Sequence, residues 1–221
     1  MPSAAPATTT LSEAASKQLL ATHGVATVPG ITVPTASEAG VKANQLGFPV
    51  VVKLCGPAIA HKTERGLVRL RLVDADAVRE AAGELLGLAR PEDGTVELLV
   101  MPMVTGSREL IAGLHTDPQF GPCVMLGIGG VLAEAIGDVQ FRLAPITPLD
   151  AAEMIDGLRA QALLGPFRGE PPIDRTALAE VLVGLSHVAE HDPDVMSVDL
   201  NPLVVVDGVP LAVDALVELR A

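Results

Sequence analysis

Three stretches of the chain carry side chains whose type and spacing could do chemistry. The first is VVKLCGPAIAHKTERG, from Val51 to Gly66. It ends a β-branched run in Lys53 and, beyond a Gly-Pro break, sets His61 among Lys62, Thr63, Glu64 and Arg65. A lysine ending a buried strand is either an edge residue whose stem lies along apolar surface, or a cation aimed at an anion in a cleft. A histidine on such a loop is either solvated or a nucleophile that can take up a phosphoryl group and divide one transfer into two.

The second stretch is SVDLNPLVVVDGVPLAVDA. Asp199 and Asn201 stand two residues apart, on one face of a strand, and Asp214 lies on the strand returning through the turn. An Asp-x-Asn pair facing a third carboxylate is a hard-oxygen set suited to Mg²⁺, which takes one or two protein oxygens and completes its shell with water and phosphate. The same residues would also serve as a solvent-facing polar hairpin. The third stretch, LGIGG (Leu126 to Gly130), follows an apolar strand, where glycines let backbone N–H groups approach phosphate. GxGG is a weak signal by itself, and no G-x-G-x-x-G opens a helix, so a dinucleotide site is disfavoured. HVAEH, His187 to His191, fits the H-x-x-E-H pattern of a zinc peptidase. It falls at a helix end, where a cation suits the dipole, and no third ligand is identifiable.

The elements that must position these residues follow from periodicity. LSEAASKQLLATHG reads as a helix with Leu11, Ala15, Leu19 and Leu20 at helix spacing, stopped by Gly24. ATVPGITV is a short strand broken by Pro29-Gly30. TASEAGVKANQLG is a helix capped by Thr35 with Glu38 three residues on. FPVVVKL is a fully buried strand, and GLVRLRLVD alternates as a half-exposed one. DADAVREAAGELLGLA is an amphipathic helix. VELLVMPMV and RELIAGLHTD are strands, and GPCVMLGIGGVLAEAIGDVQFRLAPI reads as strand, glycine-rich turn, strand. A helix with Pro148 in its first turn and another from about Asp174 to Glu190 precede a closing pair of strands around VDGVP. This order predicts an α+β fold with two subdomains around a cleft.

Composition narrows the function classes. There is no Trp or Tyr and only four Phe, so the core is aliphatic and no aromatic platform for bases exists; a net charge of −12 repels phosphate backbones. The N-terminal residues MPSAAPATTT carry neither a basic nor an apolar signal region, and residues 1–10 read as a disordered leader. No run of about 18 apolar residues is present. Cys55 and Cys123 suggest small buried hydrophobes rather than a disulfide or zinc framework. A soluble, cytoplasmic protein is expected.

Taken together, three segments resemble the ATP-grasp module of ADP-forming acyl-CoA synthetases (acetate–CoA ligases). They are LGFPVVVKLCGPAIAHKTERGLVRL, LLVMPMVTGSRELIAGLHTDPQFGPCVMLGIGGVLAEAIGDVQFRLAPI and VDLNPLVVVDGVPLAVDA. The similarity runs collinearly from about Leu11 to Leu219, and the Asn-Pro-Leu hairpin is also similar to that of succinyl-CoA synthetase β subunits. The resemblance implies an ATP-grasp fold over residues 11–221, two α/β subdomains enclosing a nucleotide cleft. The smaller, nucleotide-covering subdomain would take about 25–105, and the larger, with the Mg²⁺-binding hairpin, about 106–221.

It further implies that Lys53 contacts nucleotide phosphates, that Met101 to Met103 lie beside the adenine, and that Glu109 sits near the nucleotide. Gly129 and Gly130 would form the turn over the phosphates, and Asn201 and Asp214 would ligate Mg²⁺. His61 would accept phosphate on a mobile loop and carry it between distant sites. Asp199 would orient a phosphorylated histidine of the partner subunit, and Arg142 would clamp phosphate. The cofactors implied are ATP/ADP and Mg²⁺. The family's CoA-binding, acyl-ligase half is missing, so the chain is expected to act as a β subunit with a separate α subunit, in a heterotetramer of two α and two β. Two other readings remain open: a non-catalytic nucleotide-sensing module that regulates a partner, and an ATP-grasp carboxylate–amine ligase. The sequence departs from the family around His61. The usual Ser-Pro-Asp is absent before it, Glu64 holds the acidic position, and Arg65 replaces the first of two glycines, where it could neutralise a phosphohistidine or stiffen the loop.

Overall fold

The computed structural model describes residues 8–59, 62, 65–131 and 133–221. His61 therefore lies outside the described residues, as do residues 1–7 of the N-terminal leader. Thr8–Thr10, read from composition as part of that leader, form a short strand, β1. The chain divides into two compact units: one takes Thr9–Ser16 and Val28–Met103, the other Thr8, Lys17–Thr27 and Val104–Ala221. Helix α1 (Glu13–Thr22) belongs to both, changing unit between Ser16 and Lys17.

The smaller unit is a four-stranded antiparallel sheet backed by two helices. Its elements are β2 (Ile31–Val33), α2 (Ala36–Leu46), β3 (Val50–Cys55), β4 (Val68–Leu72), α3 (Ala75–Gly87) and β5 (Glu97–Pro102), with strand order β2-β5-β3-β4. Thr35 caps α2 as its spacing predicts, its hydroxyl accepting from the Glu38 amide at 3.2 Å, and Asp74 caps α3 in the same way at 2.8 Å. Every residue of β3 is buried. Val50, Val52 and Leu54 join Leu98 and Val100 of β5 in a core with Ala39 and Ala43 of α2 and Val78, Ala82 and Leu85 of α3. The alternate residues, Val51, Lys53 and Cys55, point to the opposite sheet face.

The larger unit is built on β6 (Glu109–Asp117), β7 (Gly121–Ile128), a one-turn helix α4 (Ala133–Ile136), β8 (Val139–Leu143), α5 (Pro148–Gly157), α6 (Arg175–His191), β9 (Val195–Val206), β10 (Val209–Ala212) and β11 (Leu216–Arg220). The strands run in the order β11-β9-β6-β7-β8, with β10 also paired to β9. One face is closed by apolar side chains: Leu110, Ala112 and Leu114 of β6 and Val124, Leu126 and Ile128 of β7 are buried, as are Leu178, Val181, Leu182 and Leu185 of α6. Pro148 opens α5 inside a capping box between Thr147 and Asp150, and Asp174 caps α6 through the amides of Thr176 and Ala177. The closing segment forms three strands rather than two, because the chain leaves the sheet at Val213–Ala215 before β11 begins. Among the described residues no helix is long and apolar enough to cross a membrane.

Candidate nucleotide and metal site

Lys53 ends up in the interior of the smaller unit, not at a wet edge. It is 4% exposed, and its Nζ donates to Glu13 Oε1 at 2.8 Å. Glu13, in the first turn of α1 and 1% exposed, also meets Lys62, whose Nζ lies 3.0 Å from Oε2. A buried lysine keeps its charge only against a carboxylate or another anion, and here the first such partner comes from the helix start. The expected apolar stripe of α1 is replaced by a polar one. Its buried positions are Glu13, Ser16, Lys17 and Leu20, while Leu11, Ala15 and Leu19 are half-buried.

In the antiparallel pairing of β3 with β5, Lys53 stands opposite Leu99 and Val51 opposite Met101. Lys53 and Met101 therefore share a face, two positions apart, or about 7 Å along the strands. Gly30 is packed over Leu99 and Met101: a Cβ there would lie 2.6 Å from Leu99 Cδ1 and 2.9 Å from Met101 Cγ, which is why a side-chain-free residue precedes β2. Met101 is 1% exposed, while Met103, whose amide donates to the Pro49 carbonyl at 2.9 Å, is half-buried. The unit thus sets a cation and a soft apolar side chain on one surface.

Arg65, the departure next to His61, is taken up by a buried carboxylate. Its Nη1 and Nη2 donate to the two oxygens of Asp93 at 2.7 and 2.9 Å, and the Arg90 amide donates to Asp93 at 2.8 Å. These hydrogen bonds, Arg65's first, hold the Asp93 carboxyl at about 2, against the burial that pushes it up. The folded-state value is below the ordinary carboxylate range. The tie therefore stabilises the fold above about pH 4 and is lost as pH falls towards about 2. Arg65→Ala is expected to cost about 2–3 kcal/mol, because it leaves a buried carboxylate without its cation. The double variant Arg65→Ala/Asp93→Asn should recover most of that loss in urea melts at pH 7 and flatten the acid limb of the stability profile.

In the larger unit, Glu109 opens β6, and the glycine turn after β7 folds onto it. The Gly129 amide donates to the Glu109 carbonyl at 2.9 Å, and a Cβ on Gly129 would sit 3.0 Å from the backbone carbons of Glu109 and Leu110. Gly130 has φ +87°, a conformation that suits glycine. Glu109, Gly129 and Gly130 line one cavity of about 260 Å³ together with Arg108. Nothing local in the sequence marks Arg108 as part of this turn. It is 4% exposed and donates to Glu170 and to the carbonyls of Leu163, Gly165 and Pro171, which fastens the segment after α5 beside the turn.

The hairpin residues come together as the register dictates. On β9, Asp199 and Asn201 are exposed on either side of buried Leu200. The pairing with β6 shifts between Leu110, opposite Leu203, and Ala112, opposite Leu200. Asn201 and Pro202 therefore bulge against the single residue Ile111. Val213 N donates to the Pro202 carbonyl at 3.1 Å, and Leu216 stands opposite Asp199. That puts Asp214 at the level of Asn201, in the turn between β10 and β11 rather than on a strand. Asp214 is half-buried and accepts from the Ala215 amide at 3.0 Å. The Asp214 carboxylate in this turn and the Asn201 amide oxygen on the bulge are groups that suit a hard cation taking its remaining ligands from phosphate and water. Among the described residues no trio of His, Cys, Asp or Glu is grouped to hold a metal. His191 Nδ1 lies 2.9 Å from the His187 carbonyl, the contact of a helix end.

Asp199 faces a different cavity, of about 590 Å³, lined among others by His115, Asp117, Phe120, Phe141 and Ser197. Arg142, opposite Val124 in the register, turns to the helix-covered side. Its guanidinium meets Asp150 at 3.1 Å and Glu153 at 3.0 Å on α5. That placement is an ion-pair brace between β8 and α5. Cys55 is buried and Cys123 half-buried, and both are free thiols.

The smaller unit thus carries a buried strand lysine and a methionine on one sheet face, and the larger unit carries a glycine turn against Glu109 and, on β9, a bulge at Asn201. The chain belongs to the ATP-grasp family, whose domain matches residues 4–219. Within that family it is 37% identical over 209 residues to the β subunit of acetate–CoA ligase (ADP-forming) I from Pyrococcus furiosus, covering 93% of this chain and 90% of the relative. It is 34% identical to the 4-hydroxybutyrate–CoA ligase (ADP-forming) of Nitrosopumilus maritimus, covering 89% of this chain but 29% of that longer protein. Among solved structures it is similar to the dinucleotide-forming acetyl-coenzyme A synthetase 1 of Ca. Korarchaeum cryptofilum in complex with coenzyme A and Mg-AMPPCP, whose phosphohistidine segment points towards the nucleotide binding site. There the TM-score is 0.80 at 34% identity, covering 94% of this chain and 92% of that one.

Proposed function

We propose that the chain is the nucleotide-handling β subunit of an ADP-forming acyl-CoA synthetase, an acid–thiol ligase that works with a CoA-binding α subunit. The pair converts acyl-CoA, ADP and phosphate into carboxylate, ATP and CoA. The observation that carries this reading is the buried Lys53 ammonium on the same sheet face as Met101, with likeness to a β subunit along nearly the whole chain. Lys53 binds the nucleotide phosphates, Met101 and Met103 flank the purine, and Gly129 and Gly130 cover the phosphates beside Glu109. Asn201 and Asp214 would hold Mg²⁺, which supplies neutralisation of phosphate charge.

A phosphoryl group carried on a ring nitrogen of His61 passes to the terminal oxygen of ADP: the N–P bond breaks, the O–P bond forms, and the ring nitrogen keeps the electron pair. Asp199 accepts the other ring N–H of a phosphorylated histidine of the partner and so fixes which nitrogen bears the phosphoryl group. A cytoplasmic location suits this set of substrates, and an assembly of two α and two β subunits gives each active pair its partner. Reconstitution with the α subunit tests the proposal: ATP should form from acetyl-CoA, ADP and phosphate. A chain that binds ATP without turnover beside its cognate partner would be a nucleotide-sensing module instead.

The same reading assigns the partner's docking face to the side of the sheet that carries Asp199. Phe120, Phe141 and Leu143 are 70%, 63% and 52% exposed around the Asp199 cavity, and the longer 4-hydroxybutyrate–CoA ligase carries additional sequence beyond the part this chain matches. Phe141→Asp is expected to weaken association with the α subunit about 30-fold or more, as loss of a central aromatic does. Mg·ADP affinity of the chain alone should stay at the wild-type value. Isothermal titration of chain with partner, and of chain with nucleotide, reads the two effects separately.

A further inference from the structure

A single carboxylate in the first turn of α1 serves two buried ammonium groups. Glu13 Oε1 accepts from Lys53 Nζ at 2.8 Å, Oε2 lies 3.0 Å from Lys62 Nζ, and none of the three residues is more than 6% exposed. The backbone that carries this carboxylate is held by the first turn of its helix. The Ala15 amide donates to Ser12 Oγ at 3.3 Å, and the Ser16 amide to the Ser12 carbonyl at 2.8 Å. One turn on, Lys17 Nζ donates to the Val213 carbonyl at 2.9 Å.

We infer that Glu13 is a positioning residue for Lys53, and that Lys62 tempers the hold so that the Lys53 ammonium remains available to nucleotide phosphate. The inference rests on the reading of Lys53 as the phosphate-binding lysine. A lysine side chain carries about 2 kcal/mol of rotamer entropy. Holding Nζ in place before the ligand arrives removes that cost from binding. The same carboxylate also competes with phosphate for the ammonium, and at low exposure the competition is strong. Sharing the carboxylate with Lys62 divides its attraction between two cations. Without Lys62 it would hold Lys53 more tightly, and the nucleotide would have to displace it.

This arrangement predicts effects that change sign with background. Lys62→Gln should weaken Mg·ADP binding about five-fold or more, within the range of couplings between neighbouring sites. Glu13→Gln should fail to tighten binding in the wild-type chain, where positioning is lost. In the Lys62→Gln chain it should tighten binding and recover most of the loss, because the competitor is gone. Titration calorimetry of the full chain with Mg·ADP completes this double-mutant cycle, and thermal melts establish that each variant is folded. If Glu13→Gln does not fold, Glu13→Asp, which draws the carboxylate back from Lys53, should give the same recovery in part.

Equal effects of Glu13→Gln in both backgrounds would mean simple long-range electrostatics and would overturn the inference. Wild-type affinity in Lys62→Gln would overturn it as well. Lys53→Met separates this failure from that of the underlying reading. If Lys53→Met binds Mg·ADP normally, the phosphate role of Lys53 falls and the inference with it. If Lys53→Met loses affinity while the cycle is additive, only the inference falls.

Discussion

Lys53→Met is expected to raise the dissociation constant for Mg·ADP about 100-fold and to abolish ATP formation with the α subunit, while leaving the fold intact. The size follows from removing charge-assisted hydrogen bonds to phosphate, about 3 kcal/mol in all, where each 1.4 kcal/mol is tenfold. The fold should tolerate the change for a reason visible in the packing. Met has nearly the length of the lysine stem, and Val51 on the same strand and Leu99 opposite are apolar neighbours. Glu13, which would lose one cation, keeps Lys62 at 3.0 Å. Calorimetric titration measures the affinity and a urea melt measures the stability. An unfolded variant would point to a structural ion pair, and a folded one with normal affinity would remove Lys53 from the nucleotide site.

His61→Asn carries the other large effect, with the opposite pattern. Mg·ADP and ATP should bind as in the wild type, because Lys53 and the glycine turn are untouched. Turnover of acyl-CoA to ATP should fall by at least about 1,000-fold, as when a covalent nucleophile is removed and only binding remains. Asparagine keeps the size and polarity of the imidazole but cannot take up a phosphoryl group. Steady-state rates with saturating substrates and the reconstituted pair give the measurement. Unchanged turnover would mean that the phosphoryl group passes without His61.

Much of this arrangement was legible because the relevant residues obey short-range rules. The two-residue period put Asp199 and Asn201 on one face, and the β-branched run made β3 a buried strand with Lys53 at a defined position on it. The cap at Thr35, and Pro148 in the first turn of α5, follow from side chain to nearby amide geometry.

What was not legible depended on partners far along the chain. Glu13 lies 40 positions from Lys53, and nothing local distinguishes it from a solvated first-turn acid. The signal that could have found it is the spacing of Glu13, Ser16, Lys17 and Leu20, an i, i+3, i+4, i+7 stripe. It was masked by leucines that define a competing face on the same helix. For Arg142, resemblance implies a phosphate clamp, and the fold adds two partners on α5, Asp150 and Glu153. Its place in an alternating strand, VQFRL, could have shown which side it takes, but not what waits there. Arg65 likewise looked like a loop cation until the fold brought Asp93, 28 positions on, beneath it.

The central claim, that the chain binds nucleotide and relays its phosphoryl group, is tested most directly by mass spectrometry of the chain incubated with its α subunit, Mg²⁺ and ATP. The account predicts one added phosphoryl group, acid-labile and located on His61, that disappears when ADP is supplied in excess and is absent from Lys53→Met. A chain that binds ATP under the same conditions yet gains no phosphoryl group at His61 would contradict it.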